Sequence, residues 1–384
     1  METRVMLAGG GTAGHTSPLL AVSDALGALA PCRFVFVGGR RGLENRIIPE
    51  RGMEYHRTLM PSLRDPESRL SLLTAAIALP IAVAQALWVI LRVRPRALLT
   101  SGGLVSLPVV LAATIRRVPI VIWNGDAVPG RVNRMLARFS RRVASTFPEE
   151  ERFFTRDKVV VTGNPIRAEL LQWTRAAGRD ALGLPADARV VLIGGGSQGA
   201  QVINGAVDAA LTRLLANAYV VHLTGDAYLP RAQARRGSLL PPERRERYRP
   251  YAFLTDQMGA ALAAADLMVG RAGSGTIAEA LALGLPLVLV PFGVAASGHQ
   301  LANAHSVVDA GAAILVRESE LDGDRLSAVV VGLLEDRDRL SRMRVAAARA
   351  GRPDAAVRIA NLVLELVEPK MISREHRPMA EKRP

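Results

Sequence analysis

The chain has 384 residues, 49% hydrophobic and 22% charged, a composition typical of a globular protein of about two domains. Its single cysteine, Cys32, excludes an intramolecular disulfide and fits a reducing compartment, and a strand-like run follows the first residues, so we expect no secretory signal. The net charge of +14 predicts an anionic partner, but with only 4% aromatic residues we expect phosphorylated substrates or an acidic membrane and no nucleic acid.

Short apolar runs alternate with helical patterns in the first half of the chain. A helix is predicted at 18–29, another between residues 100 and 119, and strands at 5–8, 33–37, 97–100, 119–123 and 159–161. Strands separated by helices favour a parallel, doubly wound sheet.

The second half repeats this plan. A helix is predicted at 276–283, with strands at 190–193, 219–223, 267–269, 287–290 and 313–316. The turn-forming segment 163–167, Gly-Asn-Pro-Ile-Arg, is the predicted hinge. We therefore expect one domain over 1–163, a second over 164–350, a last helix at 354–367 that returns to the first domain, and a disordered tail at 369–384.

An apolar stretch at 70–91 permits three interpretations. It is long enough to span a membrane. A span would place the strands at 33–37 and 97–100 on opposite sides of the bilayer, which disfavours it. A pair of buried helices is the expected alternative, and an interfacial segment with Trp88 touching lipid is the third.

One glycine cassette occurs twice. Residues 5–14, Val-Met-Leu-Ala-Gly-Gly-Gly-Thr-Ala-Gly, return at 190–199 as Val-Val-Leu-Ile-Gly-Gly-Gly-Ser-Gln-Gly. Each reads as a buried strand followed by a loop whose N–H groups can approach an anion at a helix N-terminus. Both copies also match a dinucleotide-binding pattern, but the strand after the first copy ends at Arg40 without the required acid. The objection is weaker for the second copy, whose next strand reaches Asp226.

Several polar residues follow these loops. His15 begins the next helix, where the positive helix end favours a neutral imidazole that accepts a proton from a hydroxyl or simply fixes the loop. The loop at 271–276 could hold a diphosphate, and Glu279 could accept ribose hydroxyls or be a solvated carboxylate. Gln300 and Asn303, one helical turn apart, present amides that can bind sugar hydroxyls.

Taken in order, the motifs resemble one family. They are the runs 10–15, 163–167, 195–200, 271–279 and 300–303, and they are similar to the MurG family of UDP-N-acetylglucosamine transferases. The resemblance implies a GT-B fold of two Rossmann-like domains facing a cleft, and inverting sugar transfer with no metal and no cofactor. It also implies UDP-N-acetylglucosamine as donor, lipid I as acceptor, and a peripheral position on the cytoplasmic face of the cell membrane.

The resemblance assigns residues to these roles. Expected donor contacts are Thr12, Ala13, Gly14, Asp126, Arg167, Ser197, Thr255, Arg271, Ser274, Gly275, Thr276, Glu279, Gln300 and Asn303. The acceptor and membrane side would use Gly102, Gly103, Trp88, Arg134, Arg138 and Arg141. The spacing of Arg131, Arg134, Arg138, Arg141 and Arg142 predicts one basic helical stripe for anionic lipid.

The chain departs from the family at one run. The family usually has His-Glu-Gln-Asn where this chain has Trp123-Asn124-Gly125-Asp126, so its Glu position is Asn124. His15 or Asp126 is the predicted base. A different glycolipid or small-molecule acceptor, or a UDP-N-acetylglucosamine epimerase, remain the alternatives.

Two Asp-x-Asp patterns could suggest a metal. Asp322-Gly323-Asp324 is predicted to be a helix cap, and Asp336-Arg337-Asp338 a helix surface, because neither closes a strand beside a glycine loop.

Overall fold

The computed structural model describes residues 2–11, 13–40, 42, 44–60, 69–196, 198–238, 240–293 and 298–367. At Ala13 and residues 69–73 it describes the helix backbone only. The tail predicted at 369–384 lies outside these ranges.

The first half forms a parallel sheet of seven strands, ordered β3-β2-β1-β4-β5-β6-β7. The strands are β1 (Thr3–Ala8), β2 (Cys32–Gly38), β3 (Glu54–Arg57), β4 (Ala97–Thr100), β5 (Ile120–Asn124), β6 (Arg142–Ser145) and β7 (Val159–Val161). Helices cover both faces: α1 (Ala13–Leu29), α2 (Glu44–Glu50), α3 (Arg69–Val93), α4 (Leu107–Ile115) and α5 (Arg131–Leu136).

The second half forms a parallel sheet of six strands with the same order of crossovers, β10-β9-β8-β11-β12-β13. These are β8 (Val190–Gly194), β9 (Tyr219–Leu223), β10 (Tyr248–Tyr251), β11 (Leu267–Gly270), β12 (Leu287–Leu289) and β13 (Ala313–Leu315). Its helices are α6 (Arg175–Ala181), α7 (Gln201–Asn217), α8 (Leu229–Ser238), α9 (Pro242–Arg245), α10 (Met258–Ala264), α11 (Ser274–Ala282), α12 (His299–Asp309), α13 (Gly323–Glu335) and α14 (Arg337–Ala350).

The predicted fold class is confirmed, and all ten predicted strands are present within a residue or two. Three strands were not predicted: β3, β6 and β10. β3 and β10 are edge strands with sequences Glu-Tyr-His-Arg and Tyr-Arg-Pro-Tyr, which are half-buried at most positions and lack an apolar run. Edge strands need bury less of their surface, so their sequences carry a weaker signal.

The last helix, α15 (Ala355–Val367), packs on α1 in the first half. Its residues Ile359, Ala360 and Val363 are buried in the same core cluster as Val5 and Leu7 of β1. The chain therefore crosses between the halves twice, near residues 163 and 351.

The apolar stretch is one helix, α3, so the predicted pair of buried helices is wrong. One side of α3 is buried, including Ala82, Ala86 and Val89. The opposite side exposes Ile77, Ile81, Trp88 and Leu91, which share a stripe at helical spacing. By length and composition Thr74–Val93 could cross a membrane, yet β3 and β4 on either side of it belong to one sheet.

The predicted basic helical stripe is also wrong. α5 ends at Leu136, and a 3-10 turn, Ala137–Phe139, leads into β6, which starts at Arg142. The arginines consequently divide: Arg134 and Arg138 line one surface pocket, and Arg141 and Arg142 line another.

Both Asp-x-Asp patterns begin helices. Asp322 caps α13 by accepting from Arg325 N at 2.7 Å, as predicted. Asp336 caps α14 by accepting from Arg339 N at 2.9 Å, a cap rather than the predicted helix surface.

Candidate active site

The motifs converge because they follow the carboxyl ends of neighbouring strands. In each sheet the strand order reverses between two central strands, β1 and β4 or β8 and β11. Loops at such a switch point diverge and leave a crevice. The loops after β1, β4 and β5 supply His15, Gly102–Gly103 and Asp126, while those after β8 and β11 supply the second glycine cassette and Arg271.

The first glycine loop is closed by an internal carboxylate. Glu44 is fully buried, and its Oε1 accepts from Gly11 N at 3.0 Å and Gly39 N at 3.2 Å. An N–H group already bonded to a carboxylate is not free for a diphosphate. This loop is therefore poorly suited to bind an anion.

His15 lies in the first turn of α1 beside the cleft. Burial lowers its pKa, and Asp126, the Ser101 backbone and Glu44 oppose that shift. The imidazole is thus neutral, as predicted, although burial is the main cause. Its Nδ1 is buried without a hydrogen-bond partner among the described residues.

The second glycine loop opens into a pocket of about 520 Å³. Gly195, Gly196, Arg271 and Gln300 line it. Gly199 has a φ of 76° and packs against the Thr224 carbonyl, so a side chain there would overlap the backbone. The pocket brings together the loop, the predicted cation and the predicted sugar-binding amide.

Arg271 is not a free cation. Its Nη2 donates to Glu318 Oε1 at 2.6 Å, and its guanidinium lies 5.2 Å from the centre of the Phe292 ring. Glu318 therefore neutralises much of the charge expected to meet a diphosphate. Gln300 accepts from Phe292 N at 2.9 Å through Oε1, which fixes its side chain at the pocket wall.

The start of α11 offers a second anion-binding element. Gly273 caps this helix without a side-chain hydrogen bond, so N–H groups of the first turn, at Ser274, Gly275 and Thr276, have no side-chain cap. Glu279 follows on the same helix. Burial raises its pKa, and the positive charge of Arg167, on the first crossover, opposes the shift.

Thr255 lies on the exposed loop between β10 and α10, next to the 43% exposed Phe253 and buried Leu254. An exposed aromatic ring at this edge provides a flat apolar surface for a nucleobase.

Asp126 and Asn303 join the two halves. Asn303, on α12, is fully buried; its Oδ1 accepts from Ala127 N at 2.8 Å, and its Nδ2 donates to Asp126 Oδ1 at 2.9 Å and Ala272 O at 3.1 Å. His299 Nδ1 donates to Val128 O at 2.6 Å. Both amide protons of Asn303 are thus used within the protein, so a contact with a sugar would have to replace one of them.

Four buried polar atoms near the cleft lack a hydrogen-bond partner among the described residues. They are His15 Nδ1, Ser101 Oγ, Trp123 Nε1 and Asn164 Oδ1. Unpaired buried polar atoms are uncommon and call for a ligand or water. Asn164 also lines a cavity of about 340 Å³ between the halves, together with Ser274 and Ile277 of α11.

Not every predicted site residue can be placed. Thr12 and Ser197 lie outside the described residues, and at Ala13 only the backbone start of α1 is described. Conversely, the sequence reasoning missed Glu44, Glu150, His299 and Glu318. Single ionisable residues in loops or helix starts carry no pattern in sequence, and each becomes notable only through its partners in space.

The molecule has two facing Rossmann-type halves. One half holds a nucleotide-sized pocket, and the other holds a histidine and a carboxylate beside the cleft. These features define a GT-B-type glycosyltransferase. Family models agree: residues 5–145 match the glycosyltransferase family 28 N-terminal domain and residues 190–359 its C-terminal domain. The chain belongs to glycosyltransferase family 28 and, within it, to the MurG family.

Full-length relatives support this assignment. Proteins named UDP-N-acetylglucosamine--N-acetylmuramyl-(pentapeptide) pyrophosphoryl-undecaprenol N-acetylglucosamine transferase are 38% identical in Moorella thermoacetica and 41% identical in a Nocardioides species. The matches cover 95% and 94% of this chain and 99% and 98% of those proteins. The crystal structure of Acinetobacter baumannii MurG has a TM-score of 0.75 at 26% identity, covering 94% of this chain and 99% of that one.

More distant structures share the fold alone. A UDP-N-acetylglucosamine 2-epimerase has a TM-score of 0.64 at 14% identity. The epimerase alternative therefore gains no support beyond the common architecture.

Proposed function

We propose that this protein transfers N-acetylglucosamine from UDP-N-acetylglucosamine to the muramyl 4-hydroxyl of lipid I, forming lipid II for peptidoglycan synthesis. The observation that carries the proposal is the 35–41% identity to transferases of that name over about 95% of the chain. The division of the site agrees with it, because the anion-binding elements lie on the second half and the candidate bases on the first. The domain division at residue 163 belongs to the same proposal.

The proposed donor site lies on the second half. The second glycine loop and the first turn of α11 would donate N–H groups to the diphosphate, and Arg167 would add charge. Glu279 would accept from the ribose hydroxyls, the loop at Thr255 would meet the uracil, and Gln300 would bind the sugar. Thr12, Ala13, Gly14, Ser197 and Asn303 remain donor contacts proposed from the family resemblance.

The proposed reaction is a direct displacement. The acceptor hydroxyl attacks the anomeric carbon, the bond from that carbon to the diphosphate oxygen breaks, and UDP leaves with the bonding electrons. Pre-oriented N–H donors stabilise the charge that develops on the leaving group, an effect of about 2.7–4 kcal/mol per well-aimed donor. The hydroxyl proton passes to His15 or Asp126, which contributes roughly 10²–10⁴-fold.

The exposed stripe of α3 supports a peripheral membrane position. Ile77, Ile81, Trp88 and Leu91 form an apolar strip, and Ile115 of the adjoining α4 is also exposed. Arg92 lies 5.6 Å from the centre of the Trp88 ring. Apolar side chains beside arginines fit the interface of an anionic lipid surface, where the acceptor's lipid tail resides. Gly102, Gly103, Arg134, Arg138 and Arg141 belong to this proposed acceptor side.

The test supplies radiolabelled UDP-N-acetylglucosamine with a short-chain lipid I analogue and follows label in the lipid product. We expect transfer by the wild-type protein. Binding of UDP-N-acetylglucosamine without transfer would support the proposed donor site and would indicate that the acceptor is a different molecule. Thermal stabilisation by NADH alone would instead favour an oxidoreductase.

Two variants separate the candidate bases. Asp126→Asn keeps an acceptor for Asn303 but removes the charge, whereas His15→Ala removes the imidazole. Replacing the residue that acts as base should lower kcat by about 10²-fold or more. If neither change lowers kcat tenfold, the proton leaves by another route.

A further inference from the structure

A fully buried carboxylate lies behind the acceptor side of the cleft. Glu150 sits in the 3-10 turn Pro148–Phe153 that follows β6. Its Oε1 accepts from Thr146 N and Phe147 N, each at 2.8 Å, and its Oε2 accepts from Asn124 Nδ2 at 2.8 Å. All three of these partners are donors, so both oxygens of Glu150 act as acceptors.

From Asn124 the hydrogen bonds continue to both acceptor-side loops. Asn124 Oδ1 accepts from Asn133 Nδ2 at 3.0 Å, and Asn133 Oδ1 accepts from Gly103 N at 3.0 Å. Asn124 Nδ2 also donates to Asp126 O at 2.7 Å. One unbroken chain therefore links Glu150 to the loop of Gly103 and to the loop of the candidate base Asp126.

Backbone groups fix the direction of the bonds in this chain. Asp126 O can only accept and Gly103 N can only donate, so Asn124 turns its NH₂ group toward Asp126 and Glu150 and its oxygen toward Asn133. Glu150 then meets three N–H donors, and its two oxygens accept from all of them. An amide at position 150 has one oxygen only, so its NH₂ group would face an N–H donor and the chain would lose a hydrogen bond.

Asn124 lies on β5, and the Glu150 carboxyl group lies one hydrogen bond behind it, on a different element. We propose that Glu150 positions the acceptor side of the cleft, acting through Asn124 and Asn133. Glu150 is a positioning residue, since it is fully buried and reaches the cleft only through these partners.

The proposal rests on the transferase function above and can be tested by exchanging the two residues. Three variants are compared with wild type: Glu150→Gln, Asn124→Glu and the double variant. In the double variant, the carboxylate at position 124 can accept from Asn133 and from the NH₂ group of the amide introduced at position 150. The oxygen of that amide still accepts from Thr146 N and Phe147 N. Asn124→Glu alone places two carboxylates against each other.

The readouts are the kinetics for acceptor and for donor, together with the UDP affinity measured by calorimetry. The matched control is Glu151→Gln, at an exposed neighbouring position. Glu150→Gln should lower kcat/KM for the lipid I analogue by about tenfold, while UDP affinity stays within about twofold. Asn124→Glu should be the most damaging. The double variant should recover part of the loss only, because Asp126 O has no donor at position 124 in either variant. Unchanged acceptor kinetics in Glu150→Gln, or losses that merely add in the double variant, would overturn the proposal.

A second readout does not depend on the acceptor. Amide hydrogen exchange of the peptide that contains Gly103 should speed up in Glu150→Gln and slow again in the double variant. If wild type transfers no sugar to lipid I but this exchange pattern appears, the acceptor assignment fails and the positioning role stands. If transfer is normal and exchange at Gly103 is unaltered, the positioning role fails. If Glu150→Gln does not fold, Glu150→Asp replaces it. Aspartate keeps the carboxyl group on a shorter side chain, so we expect the same changes in kinetics and exchange at smaller size.

Discussion

At the scale of single residues, carboxylates distinguish the two glycine loops. Glu44 accepts from one N–H group of the first loop, Gly11 N, at 3.0 Å. In the pocket of the second loop the acid, Glu318, is paired with Arg271 instead. The sequence repeat shows two similar loops, but among the described residues Gly11 N of the first is already bonded to a carboxylate. The proposed diphosphate site therefore lies at the second loop.

Glu279 provides a direct test of the donor site. Replacing it with Ala should weaken UDP binding by about tenfold, because the carboxylate that accepts from the ribose hydroxyls is lost. Isothermal titration calorimetry measures the change. Glu335→Ala, at the exposed end of α13, is the control and should leave the affinity unaltered. Equal affinities for Glu279→Ala and wild type would refute the ribose role.

Glu150 should also make stability depend on pH. Burial raises its pKa from 4.5 to about 8, against the opposing effect of its hydrogen-bond donors. The folded state then holds a proton that the unfolded chain releases, so the free energy of unfolding falls as pH rises from about 4.5 to about 8. The slope for one group is at most about 1.4 kcal/mol per pH unit. Both oxygens of the protonated carboxyl group keep lone pairs, so its three donors retain an acceptor in either state.

Denaturant unfolding of wild type and Glu150→Gln at several pH values measures this contribution. The difference between the two proteins should change across that window and become constant below it. The part of the window above pH 6.5 is the clearest. Burial lowers the pKa of His222 from 6.5 to about 4, so its contribution to stability varies between those values and not above them. A difference that does not vary with pH would show that Glu150 keeps an ordinary pKa.

At the scale of elements, the hydropathy of α3 does not show which side of the helix is buried. Its buried residues and its exposed residues are both apolar, so no polar face marks the side that meets solvent or lipid. Periodicity therefore cannot separate a core helix from an interfacial one. Only packing against α4 and the sheet decides which side is free.

The exposed stripe of α3 should bind lipid. Replacing Ile81 and Trp88 together with Glu should reduce co-sedimentation with vesicles containing anionic lipid by about tenfold, because two apolar contacts are lost and like charge is added. Val345→Glu, an equally exposed apolar position on α14, is the control. UDP affinity should be unchanged in both. Full vesicle binding by the double variant would place the membrane contact elsewhere.

At the scale of the whole molecule, the buried Asn303 connects the two halves. Its amide meets both the Asp126 carboxylate and the Ala127 N–H group of the other half. Asn303→Asp keeps the shape but sets a carboxylate against Asp126, which should disfavour the closed arrangement by about 1–3 kcal/mol.

Small-angle X-ray scattering should show a larger radius of gyration for Asn303→Asp than for wild type. Asn217→Asp, at the end of α7 and away from the cleft, is the control. If the two variants scatter alike, the Asn303 contacts do not hold the halves together.

Sequence patterns determined the class of this protein because parallel strands and their loops are local features. Apolar runs marked ten strands, and loops that follow parallel strands must meet at one edge, so Glu279 and Gln300 could be expected on the same side of one sheet. The role predicted for Arg167 came from the family resemblance. Tertiary structure decided which polar groups remain free to contact a ligand. Glu44, Glu150 and Glu318 act on residues far from them in the chain, and the free side of α3 depends on what packs behind it. Hydrogen-bond partners and burial are properties of the folded arrangement, and no local pattern in the chain records them.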